Sequence, residues 1–200
     1  MNLLQKMIKI ILSLALISAV NVMEAQKSHA LLVIDIQNFY FPGGRSELVE
    51  PVQAAEKAAV AIAHARAENA PVIYIQHKSA AGMEINDLVK PAPGEAIFVK
   101  EEVNSFLGTG LAEHIKGLGS DTLVICGMQT QMCVEAAVRA ASDLGWYVFL
   151  LHDACASRNL KFGDREVAAV DVHASTLAAM KSYAEVISVE DWIKTAGSRQ

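Results

Sequence analysis

Residues 122–145 read TLVICGMQTQMCVEAAVRAASDLG, and the fold is decided here. Residues 122–127 (TLVICG) form a continuous apolar run, the length of a strand. A strand without polar alternation suits a parallel sheet covered on both faces. After a short polar turn, residues 133–144 are Ala-rich and helical, and Gly145 stops them. Strand, turn and helix make the first part of a βαβ crossover. Outward from this unit, residues 30–35 (ALLVID), 72–77 (VIYIQH), 97–100 (IFVK), 147–151 (YVFLL) and 184–189 read as further strands. Residues 51–68 place Val52, Ala55, Ala59, Ile62, Ala63 and Arg66 at helical spacing; residues 107–118 and 165–182 also read as helices. Six strand-like runs with interleaved helices predict an α/β fold, a three-layer α-β-α sandwich around a six-stranded, mostly parallel, Rossmann-like sheet. The strand order stays open.

The chain has 200 residues, 52% of them apolar and 20% charged, with a net charge of −5. This is one domain with a sizeable core and excludes disorder. No strongly basic stretch exists, so a nucleic-acid partner is not expected. The first 25 residues are different. Lys6 and Lys9 precede an apolar run at 10–20 (IILSLALISAV), too short to span a bilayer but the length of a signal-peptide core. Residues 1–25 are therefore expected to be a signal peptide cleaved after Ala25, although Met23 stands where a small residue is preferred. The alternative is an N-terminal helix. The expected product is exported, has no membrane anchor after cleavage, and consists of one domain over residues 26–200. Three cysteines, Cys126, Cys133 and Cys155, cannot form a dense disulfide framework and lack the paired spacing of a zinc site.

In open α/β sheets ligands bind beyond the carboxyl ends of the strands. Three reactive side chains fall there: Asp35 closes ALLVID, Lys100 closes IFVK, and Cys133 opens the helix after TLVICG. Each alone has an ordinary reading, as a cap, a solvated lysine or a core thiol. Together a carboxylate, a cation and a nucleophile make a candidate triad. The helix N-terminus and the ammonium are both expected to favour a Cys133 thiolate.

Three segments, LLVIDIQNFYFPGG, FVKEEVNSFLGTGL and LVICGMQTQMCVEAAVRAASDLGWYVFLLHDACAS, resemble in order those of the isochorismatase-like superfamily of cysteine hydrolases. The closing VHASTLAAMKSYAEVISVED is also similar. That superfamily includes nicotinamidases, carbamoylsarcosine amidases, ureidoacrylate and biuret-type amidohydrolases and streptothricin hydrolase. The resemblance implies that Asp35, Lys100 and Cys133 are catalytic. It also implies a cis peptide at Met128–Gln129, with the backbone N–H groups of Gln129 and Cys133 forming an oxyanion hole. Cys133 would attack a small amide-type substrate and form an acyl-enzyme. A homodimer or homotetramer is implied as well.

Candidate substrate contacts are Gln37, Phe39 and Tyr40 after the first strand, His77 at the end of the second, and Thr130 and Gln131 beside the nucleophile. Phe39 and Tyr40 have a packing alternative, His77 a structural one, and Thr130 could brace or cap its turn. His173 reads as structural or interfacial, Trp146 and Trp192 as packing residues, and residues 79–95 as a loop that could act as a lid. One departure matters. Metal-dependent nicotinamidases of the superfamily carry an Asp-x-His pair after the first strand, whereas here IQNFYFPGGRSELVE contains no histidine. No metal and no cofactor are expected, and C–N hydrolysis is favoured. The alternatives are isochorismatase-type hydrolysis of another small substrate, a thiol peptidase, and a non-catalytic binding protein on the same fold.

Overall fold

The computed structural model describes residues 29–197, and the expected signal segment lies outside them. The chain runs β1 (His29–Ile34), α1 (Pro51–Ala67), β2 (Val72–His77), β3 (Ala96–Lys100), α2 (Leu111–Gly117), β4 (Thr122–Met128), α3 (Glu135–Asp143), β5 (Tyr147–Ala156), β6 (Leu160–Phe162), β7 (Arg165–Val167), α4 (Ala169–Met180), β8 (Glu185–Ile187) and α5 (Val189–Gly197). Successive side chains of a strand face opposite sides of its sheet. In β1, Leu31 and Val33 pack with Ala55, Ala58 and Ile62 of α1 and Trp192 of α5. Ala30, Leu32 and Ile34 pack with Leu111 and Ile115 of α2, Val138 of α3 and Met180 of α4. Two buried faces explain why β1 and β4 are apolar without alternation.

The six-stranded sheet has the order β3-β2-β1-β4-β5-β8, and every pairing in it is parallel. The chain builds β1, β2 and β3 toward one edge, then returns to place β4 against the other side of β1. The switch point lies between β1 and β4, where parallel sheets open a crevice at their carboxyl ends. Asp35 and Cys133 flank this crevice.

Three elements differ from the sequence reading. Residues 165–167 are not helical but form β7, paired antiparallel with β6. Their turn uses Gly163 at φ +61°, and α4 starts only at Ala169. β5 continues past Leu151 to Ala156. After β8 the chain forms α5, anchored by buried Trp192. Among the described residues no helix is long and apolar enough to cross a membrane.

Candidate active site

Asp35 leaves β1 at φ +50°, a left-handed conformation that Asp adopts more readily than most residues. Its side chain is fully buried. Lys100 ends β3 and is 1% exposed, so its ammonium is held by protein groups rather than water. Lys100 Nζ lies 2.9 Å from Asp35 Oδ2. It is 3.1 Å from Cys133 Sγ, 3.0 Å from His77 Nδ1 and 3.1 Å from the Glu102 carbonyl oxygen. One ammonium thus gathers the carboxylate, the thiol and an imidazole at the switch point.

Cys133 stands within a π-helical turn, Thr130–Val134, that precedes α3. The Met128–Gln129 peptide before it is cis. Gly127 has φ +137°, and a Cβ there would collide with the Ile34 carbonyl of β1. This close approach draws the turn carrying Cys133 against the strand end carrying Asp35.

Burial sets the electrostatics. It raises the Asp35 carboxyl above its ordinary value, and Lys100 offsets only part of the rise. Burial, followed by the Asp35 charge, pushes the Cys133 thiol up to about 12, with Lys100 opposing. The expected resting thiolate is therefore corrected. Desolvation and the adjacent carboxylate outweigh the cation, so burial favours a thiol beside the Asp35 carboxyl. Tyr40 is raised to about 12, first by burial, so its phenol stays protonated; its hydroxyl interacts with Gln129.

The remaining candidates divide. Gln37 is fully buried, and its amide is committed to backbone. Its Oε1 accepts from His77 N at 2.8 Å, and its Nε2 donates to the His77 and Met83 carbonyls at 3.0 and 2.6 Å. The expectation that Gln37 contacts substrate is thus corrected; it clamps the end of β2. Thr130 is likewise corrected. Its buried hydroxyl donates to the Ala156 carbonyl at 3.0 Å and meets His173 Nδ1 at 2.9 Å, bracing the turn against β5 and α4. His173 accordingly has a structural contact. Phe39 is buried edge-on to Tyr40, with the Arg45 guanidinium over its ring. Gln131 is half-buried, receives Ser157 Oγ–H and donates to Gln129 Oε1, both at 2.8 Å. Sequence reasoning missed Ser157, because its partner Gln131 lies 26 residues away in the turn before α3. Residues 79–95 form no free flap. Val89 is buried, Gln76 Nε2 donates to the Met83 carbonyl at 2.8 Å, and Arg66 grips Glu95 through two 2.8 Å bonds.

One ligand atom each from Asp35, His77 and Cys133 lies within 4.8 Å of the others, close enough for a metal centre. The residues do not fit one, because the Lys100 ammonium already contacts all three.

The described domain matches the isochorismatase domain model over residues 29–191. The chain belongs to the isochorismatase family. It is similar to the isochorismatase family protein YddQ of Bacillus subtilis, with 39% identity covering 82% of this chain and 98% of that protein. A streptothricin hydrolase of Streptomyces noursei is 31% identical over 82% of this chain, which spans 60% of that relative. A ureidoacrylate amidohydrolase of Azorhizobium caulinodans is 27% identical, covering 65% of this chain and 77% of that enzyme. Among solved structures, an isochorismatase-family hydrolase from Oleispira antarctica superposes with a TM-score of 0.82 at 35% identity, over 86% of this chain and 99% of that one. This isochorismatase-family chain is a hydrolase with the α/β architecture of its family.

Proposed function

We propose that this isochorismatase-family protein is a metal-independent cysteine hydrolase that cleaves an amide-type C–N bond in a small molecule through a thioester on Cys133. The observation that carries the reading is the single buried ammonium touching both Asp35 and Cys133. Asp35 takes the Sγ–H proton as sulfur attacks the substrate carbonyl carbon. The C=O electron pair moves to oxygen, and the backbone N–H groups of Gln129 and Cys133 stabilise that oxyanion. Asp35 returns the proton to the departing nitrogen, the C–N bond breaks, and an S-acyl enzyme remains. Water, deprotonated by Asp35, then attacks the thioester; an acid is released and the sulfur regains its proton. Lys100 keeps Asp35 ionised and steadies negative charge on sulfur. A carboxyl that burial raises above its ordinary value takes up a proton more readily than an exposed one, which suits a group that must accept and return one. The names of the streptothricin hydrolase and ureidoacrylate amidohydrolase relatives support hydrolysis, and the latter supports an amide bond.

The test is a panel of small amides, ureas and carbamates scored for released amine or ammonia, with rapid-quench mass spectrometry of the enzyme. An acyl adduct on Cys133 is expected, with turnover abolished in Cys133→Ala while circular dichroism is unchanged. Turnover surviving in that variant would remove the thiol mechanism. EDTA is expected to leave the rate unchanged; a loss restored by zinc would overturn metal independence. We also propose that residues 1–25 direct export. Amino-terminal sequencing of the mature protein should begin at Gln26, and a retained leader in the cytoplasm would refute export.

A further inference from the structure

Lys100 has three N–H groups, and one of its four close acceptors, His77 Nδ1, is not part of the proposed proton shuttle. Its placement is built in. His77 pairs in register with Lys100 across the parallel β2–β3 ladder, so the two side chains emerge on the same face. The Gln37 amide fixes the His77 backbone at both N–H and C=O. At 3.0 Å from an ammonium, Nδ1 must accept, so the ring proton resides on Nε2.

We propose that His77 is a positioning residue: as a neutral, Nε2-protonated imidazole it anchors the Lys100 ammonium between Asp35 and Cys133, and protonation of Nδ1 releases that anchor. The inference rests on the hydrolase reading for its consequence but not for its geometry. A proton on Nδ1 removes the accepting lone pair and turns an N–H toward Lys100. Two cations then face each other, and the ammonium loses its fixed place between carboxylate and sulfur. The groups facing His77 have mixed signs. Asp35 and Glu102 favour the imidazolium, whereas burial, Lys100 and Arg45 oppose it, and the balance lowers its proton affinity. The ammonium is therefore anchored at neutral pH and released as pH falls through the His77 titration.

Two variants separate positioning from simple packing. His77→Asn offers an amide oxygen near Nδ1 and cannot titrate; His77→Leu offers no acceptor. The first readout needs no substrate. In long-range proton–nitrogen NMR, His77 (assigned by its loss in His77→Asn) should show the Nε2–H tautomer at pH 7 and titrate below 6.5. Lys100→Met should raise that titration. An Nδ1–H tautomer or an imidazolium at pH 7 would overturn the proposal. The second readout is iodoacetamide labelling of Cys133 at pH 7.5, followed by mass spectrometry. Misplacing the cation that favours thiolate should slow His77→Leu about tenfold, with His77→Asn within about threefold of wild type. Equal rates in wild type and His77→Leu would also overturn it. With an amide found in the screen, the acid limb of kcat should move to lower pH in His77→Asn; an unmoved limb belongs to Asp35 and counts against His77. Failure of every amide would defeat the hydrolase reading while leaving the NMR and labelling results to decide the positioning role.

Discussion

At Lys100 the cost and the use of a buried charge meet. Breaking a fully buried ion pair by removing one partner typically costs about 3–5 kcal/mol. Lys100→Met strips the charge that holds the Asp35 carboxyl down, so Asp35 takes up a proton more readily when folded than when unfolded. A carboxyl raised in the folded state loses stability as pH rises from its unfolded value through its folded one. Urea unfolding should therefore show Lys100→Met destabilised by about 3–5 kcal/mol at pH 8 and by less at pH 5. A loss independent of pH would mean packing rather than charge. Asp35→Asn should lower kcat by about 10²–10⁴-fold, with KM nearly unchanged; a rise in KM alone would make Asp35 a binding group. The three reactive side chains were legible because each closes or follows an apolar run. Their electrostatics were not, because desolvation depends on the surrounding fold. Gln37 shows the same limit: its partners, His77 and Met83, lie 40 and 46 residues away, so nothing in IQNFY marks it as a clamp.

At the level of elements, the turn between β4 and α3 depends on Gly127. It sits at φ +137°, in register with Cys155 beside an irregularity in the β4–β5 ladder, and its Cα faces the Ile34 carbonyl. Gly127→Ala adds an unfavourable φ and a backbone collision, each costing about 1–3 kcal/mol. Its melting temperature should fall steeply and turnover should vanish; a stable, active Gly127→Ala would contradict the close approach. The loop after β2 depends on Arg66, which bonds both Glu95 oxygens, the Lys90 carbonyl and the Tyr74 hydroxyl. Because this pair is partly exposed, Arg66→Ala should cost only about 1 kcal/mol. Hydrogen exchange should nonetheless quicken selectively over residues 86–95. Uniform exchange across the domain would show that the loop is held by Val89 packing instead. Long buried strands were readable from composition alone, since two apolar faces leave no room for polar residues. The β6–β7 hairpin was not, because Arg165, Glu166 and Val167 adjoin a helical pattern and their strand character comes from partners across Gly163. α5 was missed because much of its surface faces solvent while Trp192 anchors it.

Across the whole molecule, the thiols test the link between fold and compartment. Cys126, Cys133 and Cys155 are free and buried at 0%, 4% and 7% exposure. Oxidising compartments favour disulfides, but exchange requires an accessible thiolate. Burial raises all three thiols, Cys133 and Cys155 to about 12 and Cys126 well above its ordinary value. The fold itself thus protects the cysteines, Cys126 within β4, Cys155 within β5 and Cys133 against Lys100. Protein recovered from an oxidising compartment should react slowly with a bulky aromatic disulfide reagent when native, and should yield three thiol equivalents once unfolded in guanidinium under anaerobic conditions. One equivalent on unfolding would reveal a disulfide between two of them, and the arrangement around Cys133 would need revision if that cysteine were a partner. Three equivalents, with unfolding midpoints identical with and without reductant, would mean that an odd number of cysteines is compatible with export because burial keeps each thiol from pairing with another while the domain stays folded, even though Cys133 admits a small molecule.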